Sequence, residues 1–268
     1  MSCFICPVCN TNLIASDRAY SCENGHCFDI SKEGYVNLLM SQQSSLKRHG
    51  DDKMMVRARR DFLNKGFYAQ LKATLCDTVK DYIPDGSNIV DIGCGEGYYT
   101  NDVFACGEYN VSGIDISKEA LKYASKLVKG ASFAVASAFS LPFADNTFDC
   151  VINVFAPSAY EEFSRVMKKD GCLIKVVPLE DHLWDLKCAV YNEPYKNKPE
   201  IRNEDLFELV SVKELKYNIT LDCNEDIINL FKMTPYYYKT GRDEFQKLNE
   251  MTHLNTLVHF GIEVYEKR

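Results

Sequence analysis

An α/β protein with a mostly parallel sheet, preceded by a small metal-binding unit, is predicted by three features of the chain. From about residue 66 onward short apolar runs alternate with amphipathic stretches, as strands and crossover helices do. A glycine-rich turn, DIGCGEG at 91–97, falls where the first of those runs ends. Cysteine is crowded at the front: Cys3, Cys6, Cys9, Cys22 and Cys27 are five of the twelve in the chain.

The length of 268 residues accommodates one domain of about 200 residues and a small module. No apolar run approaches the roughly 18 residues of a membrane span. MSCFICPVCN lacks the basic-then-apolar order of a signal peptide, so the chain is expected in the cytoplasm with its cysteines as thiols. A net charge of −7 argues against a nucleic-acid partner for the chain as a whole. Residues 44–72 run the other way: eight Lys and Arg stand against three Asp. Such a segment is either a phosphate-steering patch or a solvated helix face.

Three parts are expected. Residues 1–34 form the Cys-rich module, too short to build a core. Residues 35–65 form a basic connector, in which SQQSSLKRHGDDK reads as loop and MMVRARRDFL has helical spacing at Met54, Met55, Ala58, Phe62 and Leu63. Residues 66–268 form the α/β domain. Its strands are read at 88–93, 111–115, 132–136, 149–155 and 172–177, with helices at YTNDVFACG, KEALKYASKLV and AYEEFSRVMK between them. FELVSVKELKYNITL and TLVHFGIEVYEK flank a helix ending at Thr234-Pro235 and suit a closing antiparallel pair.

At the front, the spacing C-x2-C-x12-C-x3-H joins Cys6, Cys9, Cys22 and His26. A C-x-x-C turn presents two thiolates at once, and a second pair closes a tetrahedron around zinc. Four protein ligands leave no open position, so this zinc is structural, substituting for the missing core. Cys27 in place of His26, or Cys3 nearby, is the competing ligand choice.

In the larger domain, Asp91 precedes Gly93, Gly95 and Gly97 at a strand-to-helix turn, and Asp115 ends the next strand. Glycines let the backbone lie against a ligand, and a carboxylate at that distance can grip both hydroxyls of a ribose. The spacing G-x-G-x-G differs from the dinucleotide fingerprint G-x-G-x-x-G. Together with ASAFSLPFADNTFDCVI at 136–152, these residues resemble the class I S-adenosylmethionine methyltransferases. That resemblance implies a Rossmann-like, mostly parallel seven-stranded sheet with helices on both faces.

A more specific likeness runs almost end to end. The cysteine pattern, FDISKEGYVNLL (28–39), MMVRARRDFL (54–63), DIGCGEGYYT (91–100), the ASAFSLPF loop, FAP (155–157) and MTP (233–235) are similar to the RlmA-type guanine-N1 methyltransferases of large-subunit ribosomal RNA. The resemblance implies S-adenosyl-L-methionine as cofactor, structural zinc, a 23S rRNA hairpin as substrate and a homodimer with a shared RNA cleft. By position it adds Tyr68, Tyr99, Thr100 and His182 to the cofactor contacts. The basic connector fits that picture on physical grounds: Lys47, Arg48, Arg57, Arg59 and Arg60 are expected to hold phosphates, which position RNA without specifying sequence.

The strand ending Asn153-Val154-Phe155-Ala156-Pro157 lacks the Asn-Pro-Pro-Tyr type of sequence used on exocyclic amines. Phe155 is read either as a stacking surface for a flipped base or as packing. Asp149 lies at the wrong end of that strand to be a base, and no general base is identified. The competing functions are a small-molecule methyltransferase, acting on a quinone or natural product, and a non-catalytic RNA-binding protein. The former needs neither ribbon nor basic segment. The latter has no use for an intact glycine turn and Asp115.

Overall fold

The computed structural model describes residues 3–40, 52–199 and 203–268. The Cys-rich front folds into a three-stranded antiparallel sheet: β1 (Ile14–Ala15), β2 (Ala19–Ser21) and β3 (Cys27–Asp29). β4 (Tyr35–Asn37) follows, then α1 (Lys53–Asn64) and α2 (Ala69–Tyr82). The α/β core comprises β5 (Asn88–Ile92), α3 (Tyr98–Ala105), β6 (Asn110–Asp115), α4 (Lys118–Leu127), β7 (Ser132–Val135), β8 (Phe148–Val154), α5 (Tyr160–Val166) and β9 (Met167–Pro178). It closes with α6 (Trp184–Val190), β10 (Phe207–Leu221), α7 (Asn224–Lys232), α8 (Arg242–Glu250) and β11 (Leu254–Lys267).

The large sheet runs β10-β11-β9-β8-β5-β6-β7-β4. Every pair from β9 to β4 is parallel, and β11 is antiparallel to both its neighbours. The expected strands and the closing pair are all present. β4, inside the expected connector, makes the sheet eight-stranded by pairing Val36 with Ala134. Three residues are too few to show an alternating pattern. The loop expected at 41–53 lies mostly outside the described residues. α6 and α8 were not anticipated, and β9 begins five residues before the expected strand.

Period-two alternation feeds two cores, one on each face of the sheet. On β8, Cys150, Ile152 and Val154 face one core, with α2 and α7, while Val151 faces the other, with α5. The ribbon belongs to this second core. Phe4 stacks on Phe143 with ring centroids 5.3 Å apart, and Cys6, Leu13 and Cys22 lie in the same cluster.

The chain runs outward from β5 to β7, returns to β8, and proceeds the other way. That reversal leaves a crevice at the carboxyl ends of β5 and β8, where open α/β sheets bind ligands.

Candidate active site and metal centre

The four predicted metal ligands converge. Ligand atoms of Cys6, Cys9, Cys22 and His26 lie within 4.8 Å of one another. Cys9 Sγ is 3.6 Å from Cys22 Sγ, and His26 Nδ1 is 3.6 Å from Cys6 Sγ and 3.3 Å from Cys22 Sγ. Zn–S bonds of about 2.3 Å in a tetrahedron set sulfurs about 3.8 Å apart, close to the Cys9–Cys22 separation, so the donor set and its spacing suit zinc. A contact to the Thr11 hydroxyl, at 3.2 Å, helps pull the Cys9 thiol down to about 5, which favours the thiolate a metal needs. The alternative ligands point elsewhere: Cys27 is exposed and accepts from Ser21, and Cys3 contacts Ser112.

At the crevice lies a cavity of about 790 Å³. Tyr68, Asp91, Gly93, Gly95, Tyr99, Asp115 and His182 line it, bringing together residues spread over more than a hundred positions of sequence. Gly97 and Thr100, the other two predicted contacts, stand behind this wall. The Thr100 hydroxyl donates to Asp91 Oδ2 at 2.6 Å, and Gly97 (φ +85°) lets α3 approach Ala124 of α4. Gly93 (φ +80°) has no room for a side chain: a Cβ there would meet the Ala156 methyl at 2.4 Å.

Asp115 is held in place by two backbone donors, Gly95 N–H at 2.9 Å and Ser117 N–H at 2.7 Å. This fixes a carboxylate at the tip of β6, a position from which a carboxylate can grip a ribose. Asp91 is differently placed. Its Oδ1 and the Tyr99 hydroxyl are buried with no hydrogen-bond partner among the described residues. Burial pushes the Asp91 carboxyl up to about 7, partly offset by Thr100. Orphaned polar atoms and a destabilised carboxylate suit a bound cation, and S-adenosylmethionine carries an ammonium and a sulfonium.

His182 is buried, and its Nδ1 accepts from His259 N–H at 3.2 Å. Burial lowers it to about 3, so it remains neutral, with its proton on Nε2. Phe155 follows β8 in the left-handed region (φ 54°), 44% exposed at the cavity rim. Phe139, 65% exposed, lies on the same rim. Asp149 sits at the far end of β8, bound to Asn88 N–H and Lys168, away from the cavity.

Of the basic residues, Lys47 and Arg48 lie outside the described residues. Arg57 is exposed beside Asp61, and Arg60 lies 4.3 Å over the Tyr123 ring. Arg59 turns inward instead: it lines the cavity, with Nη1 3.8 Å from Glu96 Oε2. α1 contributes Met55, Arg59 and Leu63 to the cavity wall. A further stretch of wall is Met233–Tyr236, following α7. The sequence reading missed both as cavity walls. The four-residue spacing on α1 was the available signal for the first.

A strand order reversing at β5, acids tipping β5 and β6, and a glycine turn between them define a class I S-adenosylmethionine-dependent methyltransferase, here carrying a zinc ribbon. A model described as RlmA, N-terminal, a zinc ribbon, matches residues 4–47, and a methyltransferase domain model matches residues 90–174. YxjB of Bacillus subtilis (strain 168), provisionally named a 23S rRNA (guanine-N(1)-)-methyltransferase, is 33% identical over 97% of this chain and 96% of its own. The 23S rRNA (guanine(748)-N(1))-methyltransferase of Streptomyces fradiae is 34% identical over 90% of this chain and 88% of its own. The chain belongs to this family of RlmA-type rRNA (guanine-N1)-methyltransferases. Among solved structures, the YcgJ protein of Bacillus subtilis gives a TM-score of 0.49 at 17% identity, over 71% of this chain and 96% of that one.

Proposed function

We propose that this protein transfers a methyl group from S-adenosylmethionine to N1 of a guanine in a hairpin of 23S rRNA, as a homodimer in the cytoplasm. The carrying observation is that the likeness to the named rRNA enzymes spans ribbon and catalytic domain together. A small-molecule enzyme gives no reason for the ribbon. No helix among the described residues is long and apolar enough to cross a membrane.

The residues divide the work. Asp115 serves the ribose, and Asp91 the charged amino-acid end. The cofactor, when bound, supplies a methyl group made electrophilic by its sulfonium. Exposed Phe155 and Phe139 offer stacking faces for a base drawn out of its helix. The left-handed backbone at Phe155 holds that ring at the rim at a conformational cost, which points to function. Asn153 donates its side-chain N–H to Ile92 O at 3.2 Å, which ties it into the sheet instead of clamping an exocyclic amine. Arg57 and Arg60 on the outer face of α1 position the RNA through its phosphates.

The test uses tritiated S-adenosylmethionine, an unmodified 23S transcript and nucleoside analysis. Labelled 1-methylguanosine from one site is the expected product. Cofactor binding without transfer to rRNA would move the assignment to a small-molecule substrate.

A further inference from the structure

The basic helix α1 sorts its arginines by direction. Arg57 is 81% exposed and Arg60 35%, whereas the Arg59 side chain is 25% exposed and shares the cavity-facing stripe with buried Met55 and Leu63. Its guanidinium lies directly over the glycine turn: a Cβ on Gly95 would stand 3.7 Å from Arg59 Nη1. Glu96, whose side chain is 5% exposed, flanks it at 3.8 Å.

The charges lining the cavity are otherwise of one sign. Asp91, Glu96 and Asp115 are acids, His182 is neutral, and Arg59 is the one Lys or Arg among the described lining residues. A ligand with an α-amino acid end brings a carboxylate as well as an ammonium. The acids suit the ammonium, and the carboxylate requires a donor. A guanidinium has five N–H groups in a planar fork, so one flank can face Glu96 while another serves a ligand carboxylate.

We propose that Arg59 anchors the cofactor's methionine carboxylate, with Glu96 as the positioning residue that holds the guanidinium over the glycine turn, so that α1 is a wall of the cofactor site as well as an RNA-facing helix. This inference rests on the S-adenosylmethionine-dependent reading and withdraws Arg59 from the phosphate contacts.

The experiment is calorimetric titration of the whole protein, without RNA, with two probes. S-adenosylhomocysteine has the amino-acid end, and 5′-methylthioadenosine lacks it. Arg59→Gln is expected to weaken S-adenosylhomocysteine binding about ten- to hundredfold and leave 5′-methylthioadenosine within about twofold. Glu96→Gln, which loosens the anchor, gives a smaller loss on the first probe alone. Equal losses on both probes make Arg59 a structural residue and overturn the proposal. Unchanged binding of both probes returns it to the phosphate contacts and also overturns it. If Arg59→Gln lowers the melting temperature sharply, Arg59→Lys keeps stem and charge but not the fork, and its ratio of losses on the two probes decides between the same outcomes. A wild-type protein that binds S-adenosylhomocysteine but methylates no rRNA would sink the rRNA assignment and leave this one standing.

Discussion

The zinc ribbon and the cofactor cavity are both clusters of titratable side chains, and they differ in whether the cluster is complete. In the ribbon, three thiols and an imidazole turn on one another within 4.8 Å and leave no position for a substrate. In the cavity, Asp91 Oδ1 and the Tyr99 hydroxyl are buried without hydrogen-bond partners among the described residues, and two aromatic rings stand exposed at the rim. A closed donor set holds a structure together, and an open one waits for a ligand.

The largest effect expected from that contrast is at the ribbon. Cys6→Ser should abolish stoichiometric zinc and remove most of the roughly 10 kcal/mol or more by which structural zinc stabilises such modules. Metal analysis and protease sensitivity of residues 3–30 would show it. Because Phe4 and Phe143 share a core, some loss of thermal stability should reach the large domain. S-adenosylmethionine affinity should stay within about twofold, since the sites share no ligand residue. Lost cofactor binding would show that the two clusters are not independent.

Next comes Asp115→Ala, which should weaken S-adenosylmethionine by about two orders of magnitude or more through loss of charge-assisted bonds to the ribose. Zinc content should be unchanged.

Asp91 sharpens the comparison through pH. Its folded-state pKa, about 7, lies above its unfolded value near 3.8, so the folded state holds the proton more tightly. The resulting stability is full below about pH 4 and is lost as pH rises through about 7. Asp91→Asn should therefore melt higher than wild type at pH 8, with the gain vanishing towards pH 4, while losing cofactor affinity. A destabilised variant at pH 8 would mean that the carboxylate is satisfied without ligand.

The smallest effect is at the rim. Phe155→Ala should lower kcat/KM for rRNA about tenfold, from about 1–3 kcal/mol of lost stacking, with cofactor affinity preserved. A matching loss of cofactor affinity would make Phe155 packing.

These sites were unequally legible in the sequence. Zinc ligands declare themselves because tetrahedral geometry demands fixed spacing, and Gly93 and Gly97 because the backbone there tolerates nothing larger. Asp115 was legible because it ends a strand of the expected pattern. β4 was not, because three residues carry no periodicity. Arg59 was read with its neighbours because charge shows no direction around a helix. Only Met55 and Leu63, four residues to either side, reveal which way it faces. The wall at Met233–Tyr236 meets the cavity only through long-range folding of α7 against α1, and no local pattern encodes that.

The most direct test of the central claim is made in the source organism. N1-methylation blocks the Watson–Crick face of guanine and stops reverse transcriptase, so 23S rRNA from a deletion strain is compared with wild type. The account predicts that one guanine stop disappears on deletion, returns with the wild-type gene and does not return with Asp115→Ala. An unchanged pattern of stops across the whole 23S rRNA would contradict it.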